Sequence, residues 1–286
     1  MLSLFGVRVG WTTLLARTVR ETIRDDASGL AAQLGYYFFL SLFPALLFFV
    51  ALAGLFPLQH LTDEIILLLQ PIAPREVIAI VQDQMLAIAN SPNTKILSVG
   101  LLGTLWTSSA AMGAVINAMN RAYDTTERRP WWYVKLLAVL LTTGLALFIL
   151  ISLTLVVAGP ELADWLAARF GLSAVSVWVW KIVLWPLVFV LVATAVGLIY
   201  YFAPDAEQDW KRTVPGCVLA TTLWLLGSLG FRYYVVNIGN YAASYGTIGA
   251  FIVLLLWFYL TGLVIVIGAE LNAEIERESG RTAAII

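Results

Sequence analysis

The side chains able to do chemistry are few and lie far apart. The last uncharged stretch, 247–269, runs into Gly268-Ala269-Glu270-Leu271-Asn272-Ala273-Glu274, where Glu270 and Glu274 are four apart and share a helical face. Asn117, Asn120 and Arg121 close an earlier apolar run, and Gln33, Tyr37 and Pro44 lie in the first. Asn240, Tyr245 and Gly246 stand in the turn before the last run. An ionisable group at membrane depth is a functional candidate by default. We expect Glu270 or Glu274 to meet Arg121, either as a gate or as a helix-end salt bridge that fixes topology. Gln33, Asn117 and Arg121 form the expected buried polar set.

Hydrolytic chemistry has no visible machinery. The other carboxylates are scattered, as in Asp25-Asp26, Asp63-Glu64, Glu161 and Asp164, and no spacing forces two of them together. There is no HExxH, Walker loop or GxSxG. A single histidine, His60, and a single cysteine, Cys217, cannot build a zinc site or an intrachain disulfide. No catalytic residue, metal or cofactor is expected, and the protein is not read as an enzyme. The net charge of -1 gives no reason to expect a nucleic-acid partner.

The elements that must hold these residues are membrane spans. Hydrophobic residues make up 60% of the 286 and charged residues 12%, against about 25% charge in a soluble domain. A helix over 247–269 would cover roughly 35 Å, enough for a bilayer core of about 30 Å. The reading is all-α and polytopic, with six spans at about 27–56, 96–120, 136–158, 178–203, 213–236 and 247–270. The first run is far longer than a signal-peptide core of roughly 7–15 residues, so it is expected to stay as an anchor. Pro44 and Pro186 should kink the first and fourth spans. Small and hydroxyl residues crowd 96–120. Its face with Thr107, Ala110, Ala114, Asn117 and Arg121 should pack against other helices, making this the most buried span. Residues 57–95 should form two short outer interfacial helices, and 279–286 a loose tail.

Residues 1–26 read as an amphipathic helix. Trp11, Leu15, Val19 and Ile23 repeat every four residues, with Arg17, Arg20 and Arg24 on another face. Such a helix lies on an anionic leaflet or packs under the bundle. Most of the 17 Lys and Arg fall before the first span, in the second-to-third and fourth-to-fifth loops, and after the last span. Positive-inside then puts both termini in the cytoplasm.

Ala31-Ala32-Gln33-Leu34-Gly35-Tyr36-Tyr37 with Ser41-Leu42-Phe43-Pro44 resembles the first-span signature of the YihY / virulence factor BrkB family. Asn120-Arg121-Ala122-Tyr123, Tyr201-Phe202-Ala203-Pro204-Asp205, Trp210-Lys211-Arg212, the stretch from Tyr241 to Ala250 and the closing Gly268 to Glu274 resemble its later motifs, in order over nearly the whole chain. The resemblance implies a six-span bacterial inner-membrane protein. It implies membrane lipids as partners, with envelope proteins or lipopolysaccharide precursors as further candidates. The readings that follow are a transporter or flippase-like handler of lipid or another envelope component, and a non-transporting scaffold for envelope partners. Some members once carried the label ribonuclease BN, which the residues of this chain do not support. A polar or amphipathic cavity would favour transport, and a solid bundle a scaffold.

Overall fold

The computed structural model describes residues 9–54, 94–170, 174–237 and 247–283. Among them the protein is all-helical, with α1 Trp11–Arg24, α2 Ala27–Gly54, α3 Thr94–Ala122, α4 Trp131–Phe170, α5 Ala174–Phe202, α6 Trp210–Asn237 and α7 Thr247–Ala283. Among the described residues three stretches are long and apolar enough to cross a bilayer: Trp131–Ser152 with mean hydropathy 2.5, Trp210–Val235 with 1.6 and Phe251–Gly280 with 2.6. Of the segment 57–95 expected to form outer helices, 57–93 lies outside the described residues and 94–95 begin α3; the candidates Asn240, Tyr245 and Gly246 also lie outside the described residues.

Several boundaries differ from those expected. α4 is 40 residues long, beginning at Trp131 and running through Gly159-Pro160 to Phe170. Lys135 and 159–170, which fall outside the expected span 136–158, therefore lie inside a helix. α7 continues to Ala283, so 279–283 is not a loose tail; Glu278 and Ser279 are buried. The helix goes on because its last turns have a partner. Leu14 of α1 packs on Leu271 and Ile275, and Arg17 donates to Glu278. α2 and α5 pass through Pro44 and Pro186 as single helices.

α7 is the centre of the bundle. It packs against α2, α6, α1 and α3, and from Gly268 to Ile275 every residue is buried. Two glycine seams let its neighbours approach. A Cβ at Gly268 would overlap the Tyr200 hydroxyl, the Ala220 Cβ and the Gly216 carbonyl; one at Gly216 would overlap the Gly268 carbonyl and Asn272. On the α2 side, a Cβ at Gly262 would lie 3.0 Å from the Leu34 Cβ, and one at Gly35 would lie 3.2 Å from the Tyr259 nitrogen. Inside a bilayer such close backbone approach replaces the hydrophobic drive as the source of helix association.

α3 behaves differently from expectation. Its buried face carries Ser108, Ser109, Met112, Val115, Ile116 and Met119, while Thr107, Ala110, Asn117 and Arg121 are exposed. The large side chains of Met112, Ile116 and Met119 make the packing surface, and they lie on another face from the polar row. The most buried stretch is the second half of α7, not α3.

Candidate functional site

The charged residues meet at one end of the bundle, where α1 turns into α2, α3 ends and α7 leaves its apolar stretch. Two turns set this end. Asp26 and Asp124 both take left-handed backbone (φ 51° each), a conformation that Asp tolerates better than most residues. Asp26 caps α2, its Oδ1 accepting from the Gly29 amide at 3.1 Å and the Ser28 hydroxyl at 2.9 Å. Asp124 holds two guanidiniums. Arg24 Nη2 donates to both of its oxygens at 3.0 Å, and Arg277 Nη2 donates at 2.5 Å.

The expected pair of Arg121 with Glu270 or Glu274 does not form. Arg121, which is exposed, faces Asp25 at 3.8 Å. Glu274 is taken by Arg277 of its own helix at 2.7 Å, an i,i+3 pair. The cause is register. Arg121 points to the α1–α2 turn, while Arg277, one turn beyond Glu274, reaches Glu274, Glu21, Asp124 and the Ala122 carbonyl at once. Arg24 completes the network with Glu21 at 2.6 Å and Asp25 at 3.4 Å.

Below this network lies Glu270, with none of its surface exposed and neither carboxylate oxygen hydrogen-bonded. Burying a carboxyl without a partner costs several kcal/mol as an anion, roughly. Asp25, one of whose oxygens also lacks a partner, and Arg277 are the charged groups that act on it most strongly. Asn272, two residues on, accepts from the Gly216 amide at 2.7 Å and leaves its own amide nitrogen unpartnered. An open groove of about 510 Å³ lies beside Asp25, lined by Asp25, Asp26, Gly29, Leu30, Gln33 and Arg121. Gln33 and Arg121 are thus groove-lining and exposed rather than buried, and Asn117 is exposed outside it. Their long polar side chains lie away from the face that Met112 and Met119 pack. Tyr37 is half-buried against the core, edge-to-face with Tyr36 at 5.6 Å, and Pro44 is half-buried within α2.

A second polar clasp joins the end of α3 to the segment before α4 and to the end of α5. Asn120 donates to Glu127 at 2.9 Å and accepts from the Asp205 amide at 2.7 Å. Arg129 donates to Glu127 at 2.7 and 2.8 Å and to the Ala203 carbonyl at 2.8 Å. The Arg129 hydrogen bonds outweigh burial and hold the Glu127 carboxyl at about 2, below its ordinary 4.5. Gln208 caps α5 through the Tyr200 and Tyr201 carbonyls and accepts from the Tyr123 hydroxyl at 2.9 Å. Burial, with Glu276 near, keeps the Tyr123 phenol protonated well above the usual range.

Sequence reasoning missed Asp25, Arg277, Glu127, Arg129 and Tyr200, whose hydroxyl donates to the Ile265 carbonyl at 2.7 Å. The Glu274–Arg277 spacing and the acidic pair Asp25-Asp26 beside a basic helix were the available signals.

Comparison with known proteins fits this architecture. The chain is 36% identical over 257 residues to the "Putative ribonuclease-like protein YfkH" of Bacillus subtilis, covering 89% of this chain and 91% of that one. It is 28% identical over 273 residues to a "UPF0761 membrane protein" of Cronobacter sakazakii, covering 93% and 89%. A "UPF0761 membrane protein" of Alkalilimnicola ehrlichii is 29% identical over 266 residues; there the match takes in 88% of this chain but 56% of the relative, so the chain spans about half of that protein. No solved structure matches. The family described as "Virulence factor BrkB" matches residues 18–285, and this chain, an all-helical membrane protein, belongs to that family.

Proposed function

We propose that the protein is a six-span component of a bacterial inner membrane, with both termini cytoplasmic, that handles a lipid or another envelope component at the charged end of its bundle. The observation that carries this reading is Glu270: a fully buried carboxyl with neither oxygen bonded, next to Asp25, which lines an open groove of mixed polar and apolar character. A purely structural bundle gains nothing from a buried acid without a partner. A groove in which Gln33 and Arg121 stand beside Leu30 suits a molecule with a polar head and an apolar body. The scaffold reading has one observation in its favour. The α1 stripe of Trp11, Leu15, Val19 and Ile23 is exposed, from 42% at Trp11 to 75% at Ile23.

The test is reconstitution in liposomes carrying a labelled lipid. The wild type should move the label between leaflets at least tenfold faster than protein-free liposomes. Glu270→Gln and Arg121→Ala should each remove most of that gain. Wild-type liposomes indistinguishable from empty ones would set transport aside and leave the scaffold. A carboxyl-terminal reporter active only outside the cytoplasm would overturn the orientation.

A further inference from the structure

A second groove, of about 440 Å³, opens between α3 and α4 and shares no residue with the one beside Asp25. Trp106, Ser109 and Gly113 line it from α3, and Trp131, Val134 and Lys135 from α4. Lys135 lies one turn inside α4. Its ammonium donates to the Trp106 carbonyl at 2.7 Å and the Ser109 hydroxyl at 2.6 Å, and stands 4.3 Å from the centre of the Trp106 ring. An ammonium has three donors, and two are engaged here.

Among the described residues the charge on Lys135 has no counter-ion. No carboxylate among the described residues lies within ion-pairing reach of it. Glu127, the acid lining the same groove, is held by Arg129 and Asn120. Arg129 is balanced in turn by Glu127 and, at 3.9 Å, Asp205. One positive charge is left over, facing a groove with apolar walls. Trp131 is 75% exposed and Trp106 54%. Trp132 and Tyr133 continue an exposed aromatic belt of the kind that marks the head-group level of a bilayer. Leu102, one turn from Trp106 on the same face of α3, is also exposed and extends the apolar wall away from the belt.

We propose that this groove seats an anionic phospholipid of the adjoining leaflet. Its phosphate meets the free donor of Lys135, its head group lies toward Gly113 and Trp131, and an acyl chain runs over Trp106 toward Leu102. Basic pockets between membrane helices at this level recognise anionic head groups. A zwitterionic lipid brings its own cation and answers a single positive charge less well. A free phosphate leaves the tryptophan and leucine walls uncovered. The site is independent of any lipid handling at Glu270.

Native mass spectrometry of the delipidated full chain, titrated with phosphatidylglycerol, phosphatidylcholine or inorganic phosphate, tests this. The wild type should bind one phosphatidylglycerol at least fivefold more tightly than phosphatidylcholine. Lys135→Gln should abolish that preference while leaving phosphatidylcholine binding unchanged, and Lys135→Arg should keep it. A Cβ at Gly113 meets nothing within 4 Å, so Gly113→Leu puts its side chain into the groove; it should weaken phosphatidylglycerol binding while the helical signal stays intact. Glu270→Gln should retain the preference, separating this site from the other. Equal affinity for the two lipids, a preference unchanged in Lys135→Gln and Gly113→Leu, or displacement of the lipid by inorganic phosphate at similar concentration would overturn the proposal.

Discussion

Two helices of this protein are rich in small residues and use them in opposite ways. Along α7, Gly262 and Gly268 sit where neighbouring backbones press in, and a methyl group at either would strike another helix. Along α3, Gly103 and Gly113 face open space, with nothing within 4 Å of where a Cβ would be. A small residue therefore permits close approach without compelling it. The approach happens where the partner also offers a small residue, as Gly216 and Ala220 of α6 do opposite Gly268. On α3 the large Met112, Ile116 and Met119 share the contact with Ala114 and Ala118, leaving Gly103, Thr107 and Ala110 outside.

The contrast predicts unequal costs. Gly268→Val should be the most damaging change, destabilising the protein by about 3 kcal/mol or more through overpacking and lowering the chemical-unfolding midpoint in mixed micelles. A near-wild-type midpoint would show that the α6–α7 seam is loose and erase the difference between the helices. Asn120→Ala sharpens the comparison at the closed end of α3. It strips hydrogen bonds from Glu127 and from the Asp205 amide and should cost about 2 kcal/mol. Gly103→Ala and Gly113→Ala should be neutral or stabilising by up to about 1 kcal/mol, the helix-propensity gain of Ala over Gly; a loss in either would mean the row is packed after all. The smallest effect is one of pH. Because Arg129 holds folded Glu127 at about 2 against an ordinary 4.5, the clasp contributes fully above about 4.5 and is lost as pH falls to about 2. Glu127→Gln should flatten that acid limb of the unfolding profile, while a Gly268 variant should leave its shape unchanged.

Much of the architecture could be read from hydropathy alone. The uncharged run 247–269 became the apolar part of α7, and the period-four stripe of 11–23 became α1. The burial of Asn120, Glu270, Asn272 and Glu274 was not legible in this way: the set expected to be buried was Gln33, Asn117 and Arg121, and all three are exposed. The partners did not follow. Helical spacing tells which residues share a face but not the rotation of one helix against another, so Arg121 was paired with the wrong acid. The Glu274–Arg277 contact was legible because it lies within one helix. Lys135 was counted with a loop because the start of α4 depends on Pro130 and the clasp beneath it, neither of which hydropathy registers.

That α7 supplies the mating surface for α1, α2 and α6 has a consequence for biogenesis. α7 follows all three in the chain, so α1, α2 and α6 each lack this partner until it has been synthesised. A nascent chain halted before Thr247 should therefore leave α1 undocked and open to proteolysis, while α2 already packs on α3 and α6 on α5.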